Sequence, residues 1–148
     1  TFYDGKSGVV HIDFTYPYCP EMHRLILKAG RRAGVSLKQG GTYVAVEGPR
    51  LETAAEIRAF DKLGCDVVGM TGMPETSLAR ELEICYSGVS VVANYAAGMS
   101  KKKLTATEVM EAMGASTEKI KRLLKETFSL LSEHRTCPCK DALKEAKI

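Results

Sequence analysis

Three polar side chains, Glu52, Thr71 and Asn94, each lie shortly after an apolar, β-branched run of the sequence. A carboxylate accepts hydrogen bonds, an amide both donates and accepts them, and a threonine hydroxyl donates to anions. A hydroxyl beside a glycine at the start of a helix is also a common way of holding an anion. Together these residue types indicate a site for a small polar molecule.

Each of these side chains also has a purely structural explanation. Glu52 precedes a predicted helix, where unpaired N–H groups and the helix dipole favour a carboxylate. Asn94 is typical of a turn, because its side chain bonds locally. Thr71 with Gly72 fits an ordinary connection from strand to helix. His11, at the centre of an apolar segment, is more typical of a hydrogen-bonded core histidine than of a catalytic one.

The elements that must position these residues follow from the periodicity of apolar side chains. Predicted strands cover residues 8–14, 42–46, 66–70 and 84–93, and predicted helices cover 21–33, 53–63, 75–82, 105–113 and 117–133. Alternation at these lengths predicts an α/β fold with a mixed, substantially parallel sheet flanked by helices. The polar residues then fall at the carboxyl ends of strands, the edge where open α/β sheets bind ligands.

Length and composition exclude several classes of protein. The 148 residues, 45% hydrophobic and 26% charged, predict one folded domain over residues 1–148. A net charge of +3 gives no broad basic surface, so no nucleic-acid partner is expected. No apolar run approaches the roughly 20 residues that cross a bilayer, and no signal peptide is recognisable. We therefore expect a cytoplasmic protein without a membrane partner.

The chain has five cysteines, an odd number that cannot all pair internally. Cys137 and Cys139 are separated by one proline, which differs from the usual spacing of zinc ligands, and no second Cys/His pair follows them. No metal site is therefore predicted. A local disulfide or two reduced thiols remain the alternatives, and no sequence motif for a bound cofactor is present.

Residues 41–81, GTYVAVEGPRLETAAEIRAFDKLGCDVVGMTGMPETSLARE, resemble the trimeric purine nucleoside phosphorylase and methylthioadenosine phosphorylase family. The family pattern is a Gly-Thr strand ending in EGPRF or AGPSF, a helix, a strand ending in Met-Thr or Met-Ser, and a Pro-Glu before the next helix. TFYDG at the start and HIDFTYPYCP at 11–20 resemble the methylthioadenosine branch. The resemblance covers residues 1–131.

The resemblance implies an activity and a missing part. Family chains are nearly twice as long, and their first half carries the Gly/Ser-rich phosphate loop, so this chain is expected to be the carboxyl-terminal half of one phosphorylase domain. In the implied reaction inorganic phosphate, a co-substrate rather than a cofactor, displaces the base of a purine ribonucleoside. The expected partners are the nucleoside, phosphate, the amino-terminal half and two further copies in a homotrimer. The isolated half is expected to be inactive.

By the same resemblance, Glu52 and Asn94 occupy the positions that bind the purine, with Asn94 as the catalytic residue. Enzymes that prefer 6-oxopurines carry Glu and Asn at these positions, whereas adenosine-type members carry Ser and Asp. Leu51 replaces a phenylalanine that packs on the base. The implied substrates are inosine or guanosine.

Four further positions are implied to contact ribose and phosphate. Met70 matches a methionine that packs on the ribose, and Thr71 matches the residue that binds phosphate. His11 matches a histidine that reaches the 5′ end of the nucleoside in a neighbouring subunit. Ala106 replaces a histidine that binds the 5′-hydroxyl, and this small residue would accept a 5′-methylthio group, as in 5′-methylthioinosine.

Two alternatives to this function stay open. The first is a methylthioadenosine phosphorylase with atypical base contacts. The second is a non-catalytic half that serves as a structural partner or a purine-binding module.

The tail resembles the Cys-x-Cys tail of hyperthermophilic archaeal members, in which cysteines form disulfides. The resemblance implies pairing of Cys137 with Cys139 and of Cys19 with Cys85, with Cys65 free.

Overall fold

The computed structural model describes residues 1–5, 8–101, 103 and 105–147. Its elements are α1 (Pro20–Ala33), β1 (Tyr43–Ala45), α2 (Ala54–Lys62), β2 (Val67–Gly69), α3 (Gly72–Glu81) and α4 (Ala106–Ser129), followed by a 3-10 turn at Pro138–Asp141. The predicted α/β class is confirmed, with helices beside a small parallel sheet. Within the described ranges, no helix is both long enough and apolar enough to cross a membrane.

The sheet is a parallel pair in which Tyr43 lies opposite Val67 and Ala45 lies opposite Gly69. α2 is the crossover helix that joins the two strands, as a parallel connection requires. The Asp66 N–H donates to the Thr42 carbonyl at 2.8 Å, and the Asp66 carboxylate accepts from the Thr42 N–H at 2.7 Å. These bonds fix the register from the amino ends of both strands.

Tyr43 connects this sheet to α3. Its hydroxyl accepts a hydrogen bond from the Gly72 N–H at 3.3 Å, and its ring passes over Gly69 and Gly72. A Cβ added at Gly72 would lie 2.9 Å from the Tyr43 ring, closer than real Cβ contacts. The two glycines are therefore required by the close passage of the tyrosine, which holds the start of α3 at the carboxyl end of β2.

A capping box starts α2. The Thr53 hydroxyl accepts from the Glu56 N–H at 3.2 Å, and the Glu56 carboxylate accepts from the Thr53 N–H at 2.6 Å. Arg50 adds two hydrogen bonds to the same carboxylate, at 2.7 and 2.9 Å. The hydrogen bond from Arg50, followed by those from Thr53, lowers the pKa of Glu56 to about 2.

α1 packs against α4, and the carboxyl-terminal tail closes over the beginning of α1. Ala29 and Leu123 are buried in the two helices, and Arg32 pairs with Glu126 at 3.0 Å. The tail contributes two cysteines to a buried cluster at the start of α1. The core on this side of the molecule is thus partly built from sulfur rather than from large aliphatic side chains.

Two predicted strands do not form ladders among the described residues. In 8–14 only Val10 makes a bridge, to Lys147, and the His11 N–H donates to the Ala146 carbonyl at 2.8 Å. In 84–93 the Tyr86 carbonyl accepts from the Cys19 N–H at 2.7 Å. A strand needs a partner along its length, and single backbone contacts do not provide one.

The two predicted helices after residue 104 form the single helix α4. It runs through Gly114, which lowers helix stability by about 1 kcal/mol relative to alanine without ending the helix. Thr117, predicted to begin a second helix, instead donates its hydroxyl to the Met113 carbonyl at 2.9 Å. A threonine inside a helix commonly donates its hydroxyl to the carbonyl four residues earlier, instead of capping a new helix.

A close approach between two segments generates a first prediction. Gly98 has φ 77°, and a Cβ there would lie 2.6 Å from Ala54 Cβ at the start of α2, whereas Gly64 has φ 78° and open space around it. Both alanine variants bear the strain of a left-handed backbone, about 1–2 kcal/mol. We expect Gly98→Ala to lose a further ~1–3 kcal/mol in denaturant unfolding, because the overlap must be relieved. Equal losses in the two variants would show that the segments do not touch.

The capping box generates a second prediction, about pH. Because the pKa of Glu56 lies near 2 in the folded chain, below its ordinary 4.5, its contribution is complete above 4.5 and fades as pH falls toward 2. The difference in unfolding free energy between wild type and Glu56→Gln should therefore shrink over this interval in denaturant titrations. Glu118→Gln, which removes an exposed pair with Lys121, is the control and should change stability by less than ~0.5 kcal/mol at every pH. A pH-independent Glu56→Gln effect would contradict the assignment.

Candidate functional site

Three segments meet at the carboxyl edge of the sheet: residues 47–53 after β1, 70–72 after β2, and 94–98. A Cβ added at Gly48 would lie 2.5 Å from Met70 Sδ, which shows that the first two segments are in close contact. Gly98 approaches Ala54 in the same way, so the third segment crosses the start of α2. The three segments therefore lie together as predicted, but only the first two follow strands, because residues 84–93 do not form one among the described residues.

Glu52 is half-buried and immediately precedes the first residue of the capping box. The interpretation of Glu52 as the helix-starting carboxylate is wrong, because Thr53 and Glu56 perform that role. Among the described residues, nothing forms a hydrogen bond with the Glu52 side chain, and its charge adds only a minor part to the raised pKa of Arg50, which the hydrogen bond to Glu56 dominates. Glu52 therefore retains acceptor capacity at the carboxyl edge of the sheet.

Asn94 is exposed, and its amide nitrogen donates to the Tyr95 carbonyl at 2.8 Å. This is the local turn bond that the sequence suggested, and it leaves the amide oxygen available. Asn94 also lines an open cavity of about 860 Å³ with the first turns of α4, including Glu108 and Glu111. The volume is in the range of small-molecule sites. Glu52, by contrast, is not in the wall of this cavity.

The remaining predicted contacts lie in three places, of which the sheet edge holds Met70, Thr71 and Leu51. Met70 is half-buried against Gly48, and Thr71 is exposed at the start of α3, where its side chain makes no capping bond. Leu51 is 56% exposed beside Glu52. These three lie with Glu52 at the sheet edge.

Ala106 and His11 lie elsewhere. Ala106 is the exposed first residue of α4, close in sequence to the cavity wall at Glu108. His11 is exposed beside the tail, so its interpretation as a core histidine is wrong. No described contact joins His11 to the three segments at the sheet edge.

Sequence reasoning missed Glu108, Glu111 and Lys101 as walls of the Asn94 cavity. Glu108 and Glu111 are three residues apart, a spacing that places both side chains on one face of a helix. This spacing was the sequence signal that could have identified them. It also missed Tyr43 as the side chain that positions the Thr71 segment, because a tyrosine in a short strand is ordinary strand composition.

The cysteines also depart from expectation. All five are free thiols, so the implied pairs of Cys137 with Cys139 and of Cys19 with Cys85 are not present. These four instead form one cluster in which every Sγ lies within 4.8 Å of the others, with Cys65 outside it. Four sulfurs at such distances could hold a metal ion, which spacing along the sequence did not predict.

Comparison with known proteins gives the family. The model of the phosphorylase superfamily matches residues 1–129. The 6-oxopurine nucleoside phosphorylase of Pyrococcus furiosus is 54% identical over 152 residues, which cover 99% of this chain and 57% of that protein. A probable S-methyl-5′-thioinosine phosphorylase of Thermodesulfovibrio yellowstonii is 55% identical over 146 residues, covering 99% and 55%. The chain thus spans a little over half the length of these relatives.

Solved structures share the fold. A methylthioadenosine phosphorylase from an Antarctic soil metagenomic library superposes with a TM-score of 0.84 at 28% identity, over 95% of this chain and 50% of that one. Methylthioadenosine phosphorylase from Schistosoma mansoni, in complex with adenine, gives 0.85 at 22% identity, over 95% and 56%. The resemblance seen in residues 41–81 is confirmed by these matches. The chain belongs to the phosphorylase superfamily.

Proposed function

We propose that this chain forms the purine-binding side of a nucleoside phosphorylase that acts on 6-oxopurine nucleosides, including 5′-methylthioinosine. The observation that carries the proposal is the half-buried Glu52 carboxylate, which the capping box leaves without a hydrogen-bond partner in the part of the chain that the structure describes. The 6-oxopurine and methylthioinosine relatives, at 54% and 55% identity, support the same substrate class.

The chemistry of the base explains the choice of a carboxylate. A 6-oxopurine carries a proton on N1, which a carboxylate accepts, whereas N1 of adenine has no proton and would face Glu52 acceptor to acceptor. A buried polar group left without a partner costs about 1–3 kcal/mol. Glu52 therefore selects against adenine as well as for hypoxanthine or guanine.

Asn94 acts on the departing base. As the glycosidic bond breaks, negative charge builds on the purine ring, and an amide N–H directed at N7 stabilises it. The Asn94 amide nitrogen is bound to the Tyr95 carbonyl in this structure, so substrate binding exchanges that local bond for one to the purine. Leu51, half exposed beside Glu52, supplies an apolar wall for the base once it is covered.

Thr71 and Met70 place the other substrates. The Thr71 hydroxyl, free of a capping bond at the start of α3, donates to inorganic phosphate. Met70 packs on the ribose between phosphate and base. Phosphate then attacks the anomeric carbon as the base leaves, giving the free base and ribose 1-phosphate. Inorganic phosphate is the co-substrate, and the mechanism uses no cofactor.

The complete enzyme is proposed to be a cytoplasmic homotrimer. The exposure of His11 on the tail side of the molecule is consistent with a role across a subunit boundary, at the 5′ end of a neighbour's nucleoside. Ala106, small and exposed at the start of α4, leaves space for a 5′-methylthio group. The remaining phosphate ligands are proposed to come from an amino-terminal half.

A methylthioadenosine phosphorylase is the second candidate. The shared fold with solved methylthioadenosine phosphorylases favours it, and so does the 41% identity to the S-methyl-5′-thioadenosine phosphorylase of Thermofilum pendens. The two candidates differ in whether Glu52 accepts from N1–H. A purely structural half, the third possibility, differs from both in having no turnover when completed.

Completion of the chain generates a third prediction. We expect the purified 148-residue chain to show no phosphorolysis of inosine. Joined to the amino-terminal half of the 54% identical relative, it should turn over inosine with phosphate, measured by release of hypoxanthine. The matched control is the relative's amino-terminal half alone. A folded chimera without turnover would favour the structural alternative, and activity of the isolated chain would contradict the division of the site.

Base selection generates a fourth prediction, tested in the active chimera. Glu52→Gln should lower kcat/KM for inosine by about 10–100-fold, since a hydrogen bond to a charged group contributes ~1.5–3 kcal/mol. Its unfolding free energy should change by less than ~0.5 kcal/mol. Asp61→Asn, which removes an exposed carboxylate from the far end of α2, is the control and should leave kcat/KM unchanged.

Asn94→Asp should shift the ratio of inosine to methylthioadenosine turnover toward the adenine nucleoside by about tenfold or more, because a carboxylate accepts from the 6-amino group. If Glu52→Gln and Asn94→Asp both keep the wild-type ratio of inosine to methylthioadenosine turnover, neither residue selects the base.

A further inference from the structure

The four clustered cysteines come from three separate parts of the chain. Cys19 precedes α1, Cys85 follows α3, and Cys137 and Cys139 flank the proline that starts the 3-10 turn of the tail. Cys19, Cys137 and Cys139 are at most 3% exposed. Such convergence of buried thiols is not a consequence of one local sequence motif.

The arrangement is that of a four-point cluster rather than of two pairs. All Sγ–Sγ distances are within 4.8 Å, and the distance from Cys85 Sγ to Cys137 Sγ is 3.3 Å. Tetrahedral zinc with Zn–S bonds of about 2.3 Å requires S–S separations of about 3.8 Å. Shifts of side chains by less than about 1 Å therefore convert the observed cluster into a zinc-bound one.

Hydrogen-bond donors surround the sulfurs. The Arg80 guanidinium lies 3.6 Å from Cys139 Sγ, and the Arg135 guanidinium lies 3.8 Å from Cys85 Sγ. The Met22 N–H, in the first turn of α1, donates to Cys19 Sγ at 3.4 Å. Zinc with four thiolates carries a net charge of −2, and two arginines and a helix amino terminus are the groups that stabilise such a charge.

We propose that Cys19, Cys85, Cys137 and Cys139 bind one structural Zn²⁺ ion. Each thiol releases its proton to solvent as its Zn–S bond forms, and no oxidant or reductant is involved. A tetrahedral set of four thiolates is typical of zinc or iron–sulfur centres, whereas magnesium, calcium and manganese prefer oxygen ligands. Four protein ligands leave no open position, which is the composition of a structural rather than a catalytic site.

The location agrees with a structural role. The candidate base and phosphate site lies at the start of α3, near Gly72, whereas Cys85 follows the other end of that helix. The ion would tie the tail to α1 and to the chain after α3. Other contacts along the same seam have the same effect, including those from Thr136 to Glu21 and from Leu143 N–H to Glu83 at 3.1 Å.

A fifth prediction tests the ion directly on the reduced, chelator-stripped chain. Zn²⁺ titration against a chromophoric chelator should give one tight site per chain, and Co²⁺ should give the thiolate-to-cobalt charge transfer and visible bands of a tetrahedral sulfur site. Zinc should raise the Tm by about 5–10 °C. Cys65→Ser, which removes the one cysteine outside the cluster, should behave as wild type.

Variants at the site separate the ligands from their surroundings. Cys137→Ser with Cys139→Ser should abolish stoichiometric binding. Arg135→Gln, on an exposed side chain, should keep the cobalt spectrum and weaken zinc binding by about 10–100-fold.

Three results would overturn the proposal: no stoichiometric zinc on the reduced wild type, equal loss in Cys65→Ser, or cysteines that reoxidise to disulfides in the presence of excess zinc. The wild-type titration decides the matter even where a variant fails to fold.

Discussion

The parallel pairing of β1 with β2 is the constraint on which the candidate site depends. Because the two strands run in the same direction, the segments that follow them leave the sheet at the same edge. Tyr43 then fixes the next element, since its hydroxyl accepts from the Gly72 N–H and its ring fits over two glycines. A slip of one residue in this register would turn Tyr43 to the opposite face of the sheet and separate the start of α3 from the strand end.

The residues that begin α2 differ from the residue proposed to bind the base. Thr53, Glu56 and Arg50 satisfy the helix start and each other, so helix formation does not consume Glu52. Hydrogen bonds from Arg50 and Thr53 lower the pKa of Glu56 to about 2. The neighbouring Glu52 immediately precedes this helix start, and its side chain has no hydrogen-bond partner among the described residues. In the proposed function, beginning the helix and recognising the base are therefore tasks of different, adjacent residues.

Much of this framework follows from the sequence, and particular failures have physical causes. β-branched runs and a Gly-Pro break correctly predicted β1, β2 and the crossover helix. The segments 8–14 and 84–93 have strand composition but lack a ladder partner among the described residues, and no local pattern supplies one. The interpretation of Glu52 as the helix-starting carboxylate was wrong because it overlooked the Thr-x-x-Glu spacing of residues 53–56, which is the sequence pattern of a capping box.

The cysteine cluster was unpredictable for a related reason. The spacing rules for metal ligands apply to neighbouring pairs, whereas these four sulfurs come from three distant segments. Asn94 illustrates the opposite case, because its residue type and its place after an apolar run indicated the turn bond that the structure shows. Hydrogen bonds between neighbouring residues can be predicted from the sequence, whereas contacts between distant segments become apparent only in the folded structure.

The most direct test is a crystal structure of the completed enzyme with hypoxanthine and phosphate bound. We expect a Glu52 carboxylate oxygen within hydrogen-bonding distance of N1, the Asn94 amide turned from Tyr95 to N7 of the base, and the Thr71 hydroxyl on the phosphate. A base bound with Glu52 out of hydrogen-bonding range, or seated away from the edge formed by the three segments, would contradict the proposed mode of recognition.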